Sequence, residues 1–236
     1  IPSYIDETVA VKGSYSSGFS ASLTIGYPIN EIIGVEINGQ YSHGKKYKTT
    51  SISEDIIDGE VVSFSRGKAT SRANVMLISP SLVLTAPGNK LRPYVSAGVV
   101  FAIAKLEHEH ATTSNDLEFE PAKFIVHEKY TGGISIGMRG GVGVNFKLTE
   151  SLSLFSEISF NSISHYPKEK EITKYEVDGQ NLLETMDERT KRTFFVKKVI
   201  NDTRNGPPDN SKPGRAQRVS FGMGNLTANI GLKVNL

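Results

Sequence analysis

The feature that most constrains the fold is the strict alternation of the last eight residues, Asn229–Leu236. Every second side chain is apolar, and asparagine, glycine and lysine occupy the positions between them. Successive side chains of a β-strand point to opposite faces, so a period of two predicts a strand with one apolar and one polar face. The same pattern recurs along much of the 236-residue chain. The protein is therefore predicted to be all-β.

Six further segments share this alternation, and the connections between them are alternately short and long. Their approximate bounds are 19–29, 33–42, 69–85, 91–110, 133–148 and 152–161, and the terminal strand is predicted to begin near residue 218. About ten residues suffice for a tilted β-strand to cross a membrane. No run approaches the ~18 apolar residues that a membrane-spanning helix needs, but strands that are apolar on one face only never produce such a run.

The segment at 133–148 favours a barrel over a water-soluble sandwich. One of its faces is apolar from Ile134 to Leu148, whereas the other carries four glycines together with Arg139. On the outside of a sandwich, these glycines would weaken the strand without packing against anything. Inside a narrow barrel, small residues leave room for a few long polar side chains. The glycine-rich face is therefore predicted to line a lumen.

Two motifs give the pattern a specific resemblance. The tight turn at Pro87–Asn89 leads into Arg-Pro-Tyr-Val-Ser-Ala-Gly at 92–98, and the chain ends in the order polar–x–Gly–x–x–apolar–x–apolar. In this order and spacing they resemble the small outer-membrane barrels of the OmpA/OmpX-like superfamily, especially the group common in Bacteroidetes. The resemblance covers residues 19–236 apart from the loops. It implies an eight-stranded antiparallel transmembrane β-barrel in the bacterial outer membrane.

The terminal order also resembles the signal that the barrel-assembly machinery reads in such proteins. The positions that carry it here are Asn229, Gly231, Val234 and Leu236. Valine and leucine stand where that signal usually has aromatic residues.

The chain is predicted to be a single barrel domain, residues 1–236. The short connections, assigned to the periplasmic side, are Asn30–Glu31, Pro87–Lys90 and Thr149–Ser151, and the long extracellular loops are 43–68, 109–128 and 165–217. Within the last loop, 172–177 and 192–199 have β character and are predicted to pair as a hairpin above the membrane.

Seven strands are one short of the even number with which bacterial barrels close. Residues 1–18 are predicted to be an outer loop or a partial first strand. Two alternatives remain for the missing strand. Ser3–Lys12 could supply a short one, or it could lie upstream of Ile1, and the loop-like composition of residues 1–18 favours the second alternative.

Three charged residues are predicted to face the lumen near mid-membrane: Glu36, Arg139 and Glu157. Charges in a low-dielectric interior must pair, and an arginine between two carboxylates is the simplest arrangement. This polar network is predicted to fill the interior of a barrel of about eight strands, which is only wide enough for side chains. A proton or solute path is the alternative role.

The outward faces are predicted to contact lipid. Their central residues are Ile134, Ile136, Val142, Val144, Leu154, Ile158 and Phe160. Amphipathic rings favour the membrane–water interface. Tyr27, Tyr94 and Phe146 are assigned to the periplasmic interface and Tyr41 to the outer one.

Candidate catalytic or metal-binding residues are few. The absence of cysteine excludes thiolate chemistry, and His108 and His110 form a pair without a third ligand in view. Ser164–His165 is the local candidate for a serine–histidine pair, and no recognisable motif surrounds it. The glycine-rich stretch 137–143 continues as strand, which argues against a nucleotide-binding loop. No enzymatic activity, metal or cofactor is predicted.

The function is therefore assigned to the outer loops. The leading hypothesis is a barrel with a plugged lumen that acts as a binding or adhesion protein, or as an accessory subunit of a larger outer-membrane complex. A narrow pore or conduit for small molecules is the alternative. The expected partners are outer-membrane lipid and lipopolysaccharide, the barrel-assembly machinery and other outer-membrane proteins. Acidic residues interleaved with the basic ones argue against nucleic acid.

Overall fold

The computed structural model describes residues 3–8, 14–15, 17–57, 60–116, 119–199 and 209–234. The strands are β1 (Ser3–Thr8), β2 (Gly18–Pro28), β3 (Ile33–Gly44), β4 (Tyr47–Ile57), β5 (Glu60–Thr85), β6 (Leu91–Asp116), β7 (Phe119–Thr131), β8 (Ser135–Lys147), β9 (Leu152–Ser162), β10 (Ser164–His165), β11 (Glu169–Val177), β12 (Gln180–Asn181), β13 (Arg192–Val196), β14 (Gly214–Gln217), β15 (Phe221–Gly222) and β16 (Asn225–Val234). A 3-10 turn (Leu183–Thr185) and a single helical turn, α1 (Glu188–Lys191), interrupt them. The all-β prediction is confirmed.

Seven of the described strands form an antiparallel meander, in the order β2-β3-β5-β6-β8-β9-β16. We call these seven strands the wall. Consecutive wall strands are joined at one end by short turns, and at Asn30 the side-chain Oδ1 accepts hydrogen bonds from the amides of Ile32 and Ile33. Within the described residues, β2 pairs only with β3 and β16 only with β9. The sheet is therefore open between β2 and β16.

The two faces of the wall alternate as the sequence predicts. Large apolar side chains point outward and are exposed: Leu23, Ile25, Val35, Ile37, Met76, Ile78, Leu82, Val95, Val99, Phe101, Ile103, Ile136, Met138, Val142, Leu154, Ile158, Phe160, Leu226, Ile230 and Leu232. The buried side chains of the same strands point to the opposite, concave side. The outward faces form a continuous apolar band, which is the arrangement that lipid favours.

The same sheet continues beyond the wall at the end away from the short turns. β5 and β6 are 26 residues long each, and their distal halves pair with β4 and β7 rather than with β3 and β8. The resulting order is β1-β4-β5-β6-β7-β11-β13-β14. We call this the distal sheet.

The distal sheet corrects the description of residues 43–68, 109–128 and 165–217 as loops, because these segments hold β4, β7, β11, β13 and β14. The charged alternation of β4, β7 and β14 does not produce an apolar face, which is why the sequence pattern missed these three strands. Both segments of the predicted hairpin at 172–177 and 192–199 lie in strands, β11 and β13, but these two strands pair only through residues 169–171 and 192–194. Residues 172–177 pair with β7 and β12 instead.

Two further predictions about strands are corrected. Ser3–Thr8 does form a strand, but it pairs with β4 in the distal sheet and not with either edge of the wall. The terminal strand predicted from residue 218 is broken, because Phe221 pairs with His165 in a separate two-stranded sheet and β16 begins only at Asn225. The break falls at Gly222 and Gly224, where the alternation slips by one position.

No helix among the described residues is long and apolar enough to span a membrane.

Candidate functional site

The lumen of the wall contains a buried ion pair at the level nearer the short turns. Arg139 Nη2 on β8 donates to Glu157 Oε1 on β9 at 2.7 Å, and the two side chains are only 3% and 7% exposed. Tyr94 Oη donates to the other carboxylate oxygen at 3.1 Å, and Asn229 Nδ2 on β16 lies 3.4 Å from Oε1. Residues from four strands therefore converge on one carboxylate.

The inward glycines create the space for this network. A Cβ at Gly141 would lie 2.7 Å from Ser96 Oγ and 3.2 Å from Glu157 Cδ, and a Cβ at Gly143 would lie 2.5 Å from Tyr94 Cζ. Any larger residue at these positions would displace the side chains of the network. The glycine-rich face of β8 therefore lines the interior, as its composition predicts.

Of the three charged residues assigned to the lumen, the structure brings two together. Glu36 is on the inward face of β3 and half-buried, but no hydrogen bond or ion pair joins it to another described residue. Several polar atoms around the pair are buried and have no protein partner in the described chain: Arg139 Nε and Nη1, Ser79 Oγ, Ser81 Oγ, Ser96 Oγ, Asn38 Oδ1 and Asn161 Oδ1. Buried groups of this kind require ordered water. This level of the lumen is therefore polar and suited to hydration.

Farther from the short turns, the lumen changes from polar to apolar. The buried residues there form one packed cluster: Ala73, Val75, Leu77, Val100, Ala102, Ala104, Leu106, Ile163 and Met223. Val75, Val100, Ala102 and Leu106 are fully excluded from solvent. We call this cluster the apolar layer. It spans the interior between β5, β6 and the segments that precede β10 and β16.

An aromatic roof covers the apolar layer at the mouth of the barrel. His108 lies 5.4 Å from Tyr130 and 6.0 Å from both Tyr15 and Phe221, measured between ring centroids, and most of these contacts are edge-to-face. Tyr130 also stacks on Phe195 at 6.1 Å. Tyr15, Tyr130 and Phe221 pack directly on the apolar layer. Side chains from the distal sheet and from the segment before β2 thus close the opening.

Hydrogen bonds and charge fix the roof in place. Ser71 Oγ is 2.8 Å from His108 Nδ1, and the Glu128 carboxylate accepts from Tyr130 Oη at 2.8 Å and from Lys170 Nζ at 2.9 Å. Burial, and then the neighbouring His110, lower the pKa of the His108 imidazole, although the Glu128 carboxylate opposes this effect. Burial raises the pKa of the Glu128 carboxyl, but the hydrogen bonds from Lys170 and Tyr130 outweigh it and leave the pKa below its usual value.

The serine and histidine considered as a catalytic pair do not meet. Ser164 is exposed, whereas His165 points into the barrel and is completely buried. His165 Nδ1 lies 3.1 Å from Ser135 Oγ. This buried pair sits beside the apolar layer.

The histidines of the distal sheet are likewise not arranged around a common centre. His108 and His110 stack with their ring centroids 6.0 Å apart. In the part of the chain that the structure describes, no three His, Asp or Glu side chains are grouped closely enough to hold a metal ion.

Three of the four aromatics assigned to the membrane interfaces point outward. Tyr27 and Phe146 lie near the short turns and Tyr41 near the distal end of β3, and all three are exposed. The assignment of Tyr94 is wrong, because its hydroxyl group bonds to Glu157 inside the lumen. The alternation already carried this signal, because Val95 belongs to the exposed apolar face and its neighbour must then point inward.

The residues of the terminal signal lie on both faces of β16. Asn229 points inward and donates to Ser159 Oγ at 3.2 Å, and Gly231 is covered by the Phe155 ring, which a Cβ would approach to 2.6 Å. Val234 is outward and exposed. Leu236 lies outside the described residues.

Comparison with known proteins gives one match. The family model described as outer membrane protein beta-barrel domain matches residues 5–183. Neither the curated proteins nor the solved structures gave a match.

Proposed function

The chain belongs to the outer membrane protein beta-barrel domain family and lies in the bacterial outer membrane, and from that premise we propose that its barrel is a closed anchor for the distal sheet. The distal sheet acts outside the cell, as a binding or adhesion surface or as the contact surface of an accessory subunit in a larger outer-membrane complex. The lumen does not conduct. We assign a binding role and no catalytic one, because the candidate Ser164 and His165 side chains point in opposite directions.

The apolar layer is the observation that carries the proposal. An apolar constriction that is packed tightly enough to exclude water blocks conduction through a channel. The interior between Leu77 and Leu106 contains buried aliphatic side chains with the aromatic roof on top. The polar level around Arg139 can hold water, but the layer above separates that water from the outer side.

Strand direction supports an even number of strands in the closed barrel, and eight is the number that we propose. Seven strands in an antiparallel meander leave the two edges, β2 and β16, running in the same direction. One further strand between them, antiparallel to both, completes an eight-stranded barrel in which all pairs are antiparallel. Exposure supports a place for it, because every residue of β2 is exposed on both faces.

The distal sheet supports the location of the function. Most connections outside the wall are organised as paired strands rather than as free loops, and β5 and β6 run from the wall into this sheet without interruption. A recognition surface on such a scaffold loses little conformational freedom on binding. The short turns at the opposite end expose few side chains, which suits the periplasmic side.

The proposal is tested by single-channel recording with the refolded protein in planar bilayers. No conductance above the bare bilayer is expected from the wild type. Steps of nanosiemens size that persist in the wild type would contradict the seal and favour the alternative, a narrow conduit. The variant Leu77→Ser/Leu106→Ser weakens the apolar layer. The control is Leu82→Ser/Leu84→Ser on the outward face of the same wall, and the first variant should show more frequent small openings than this control.

The binding role has its own test. Replacing residues 49–68, the tip of the β4–β5 hairpin, by a two-residue turn removes part of the distal sheet and leaves the wall strands intact. Proteoliposomes with the wild-type or shortened protein are then compared on arrays of polysaccharides and purified outer-membrane proteins. Binding that is lost with the hairpin supports the proposal, and identical profiles would place the contact elsewhere.

A further inference from the structure

The outward side of the distal sheet has a charged groove directly beyond the apolar band. Its volume is about 380 Å³, and its ionisable lining comprises four cations, three carboxylates and two histidines: Lys46, Arg72, Lys105, Lys129, Glu107, Glu109, Glu128, His108 and His127. These residues come from β5, β6, β7 and the short connection before β4. Its Arg72, Lys105, Glu107 and Lys129 lie on the same face of the strands as the exposed apolar residues of the wall, whereas His108 and Glu128 of its lining belong to the roof.

The strand register fixes the height of the groove. Met76 on β5 pairs with Ile103 on β6, and both side chains belong to the exposed apolar face. The next outward pair along the strands is Asn74 with Lys105, followed by Arg72 with Glu107. Each step of two residues advances about 6.6 Å along a strand. The first cations therefore lie within one such step of the last apolar side chains.

The charges of the groove are only partly balanced. Glu107 is bound by Arg72 at 2.8 Å and by Lys105 at 2.6 Å, and these two hydrogen bonds hold its pKa down at about 2. Among the described residues, neither Lys46 nor Lys129 has a carboxylate within ion-pair distance. Lys48 and Lys68 lie on the same outward face. In the register of β4 and β5 they stand opposite Thr70 and Thr50, which carry no charge. Four cationic side chains of the lining therefore face three carboxylates, one of which, Glu128, is already bound by Lys170, so the remaining charge of this surface is positive.

We propose that the groove binds the phosphorylated headgroup of an outer-leaflet glycolipid, with the acyl chains of that lipid lying against the apolar band below. A phosphate group at the edge of the hydrocarbon layer meets cations at the height where Lys46, Lys105 and Lys129 stand. The carboxylate of Glu107 positions the Arg72 and Lys105 side chains, and the two unpaired lysines supply the attraction. Continuity with the apolar band selects a lipid over a soluble anion. The inference rests on the outer-membrane placement and outward direction of the wall used in the proposed function.

The test measures equilibrium binding of defined ligands to the folded full chain in uncharged detergent micelles, by microscale thermophoresis. The ligands are phosphorylated lipid A, the same lipid after enzymatic removal of its phosphates, and inorganic pyrophosphate. The groove variant is Lys46→Gln/Lys129→Gln, with Lys46→Arg/Lys129→Arg as the charge-preserving variant. Lys90→Gln/Lys147→Gln, which removes two exposed lysines at the short-turn end, is the matched control.

The groove variant should bind phosphorylated lipid A roughly 10- to 30-fold more weakly than the wild type, because each cation near an anionic lipid surface contributes a factor of about five. The charge-preserving variant and the short-turn control should bind like the wild type, and the dephosphorylated lipid should bind the wild type and the groove variant equally weakly.

Equal binding of phosphorylated lipid A by the wild type and the groove variant would overturn the proposal. Pyrophosphate that bound as tightly as the lipid would identify a soluble phosphate as the ligand and would also overturn it. Circular dichroism and heat-dependent gel migration report folding of each variant. Conductance is recorded independently, so a failure of lipid binding remains distinguishable from a failure of the sealed-barrel proposal.

Discussion

The proximal and distal halves of β5 and β6 belong to one pair of continuous strands but present opposite chemistry. Near the short turns, their outward side chains are apolar, as at Leu82 and Val95, and their inward ones are polar, as at Ser81 and Ser96. In the distal halves, the outward side carries Arg72 and Glu107 in an ion pair, and the inward side is filled by aliphatic and aromatic groups. The difference follows the solvent on each side. Lipid outside permits a polar interior, whereas water outside requires an apolar one.

The two patterns overlap in the middle of the strands. Around Val75, Met76 and Leu77 both faces are apolar, because the outward side still meets lipid while the inward side already belongs to the apolar layer. Strands that are apolar on both faces lose the period of two. This overlap therefore marks the height at which we propose that the barrel is sealed.

The largest effect should come from the buried ion pair of the proximal lumen. Arg139→Met leaves the Glu157 carboxylate buried without its cation and should lower the free energy of unfolding by about 3–5 kcal/mol. The matched variant in the distal half is Arg72→Met, which breaks an ion pair of nearly equal length whose side chains are 31% and 37% exposed. It should cost less than about 1 kcal/mol. Urea unfolding in lipid vesicles measures both, and equal losses would show that the two halves do not differ in solvation.

The second-largest loss of stability should come from substitutions in the apolar layer. Leu106→Ala and Leu77→Ala each remove a fully buried side chain and should cost about 2–4 kcal/mol through lost burial and the cavity left behind. Ser81→Ala in the polar lumen, where the hydroxyl group has no protein partner, should change stability by less than about 1 kcal/mol. The same unfolding measurement distinguishes them. Losses below 1 kcal/mol for both leucine variants would mean that the layer is not packed.

A lysine on the outward face should reveal the height of the lipid. Val99→Lys places a charge at mid-wall and should cost about 2–4 kcal/mol. Thr113→Lys on the same face of distal β6 should cost at most about 1 kcal/mol, because only repulsion from Arg66 and Lys123, which lie directly opposite, acts against it. Urea unfolding in vesicles again supplies the comparison. If the two substitutions cost the same, the apolar band does not contact hydrocarbon.

The smallest effect should be the pH dependence of the roof. The pKa of His108 is lowered in the folded state, so the unfolded chain binds its proton more readily. Stability should therefore fall as the pH drops below the ordinary histidine pKa of 6.5, by at most about 1.4 kcal/mol for each pH unit until the folded pKa is reached.

His108→Gln keeps a hydrogen-bonding group for Ser71 but removes the titration. Its melting temperature should fall less than that of the wild type between pH 7.5 and 5. Parallel curves for the two proteins would assign the pH dependence to other groups.

The fold of the proximal half could be predicted from the sequence because a single period of two runs through its strands. The inward places of Arg139 and Glu157 follow from counting along β8 and β9 alone. The distal half was not predictable in the same way, since Tyr15, His108, Tyr130 and Phe221 meet only after four separate segments have folded. The wrong assignment of Tyr94 shows a different limit. Tyr94 was assigned to the membrane interface because it is aromatic and near a strand end, although the alternation already gave the inward direction of its side chain.

Single-cysteine labelling along β6 tests the central comparison most directly, because the chain has no native cysteine. Val95, Val99 and Ile103 are 43–49% exposed, and Glu107 and Glu109 are 37% and 53% exposed at their side chains. Accessibility on the isolated chain is thus similar at all five positions, and only lipid distinguishes them. In intact vesicles, a membrane-impermeant maleimide should label Glu107→Cys and Glu109→Cys and leave the other three cysteine variants unmodified. Labelling at all five positions would show that the outward face of the wall lies in water and would contradict the account.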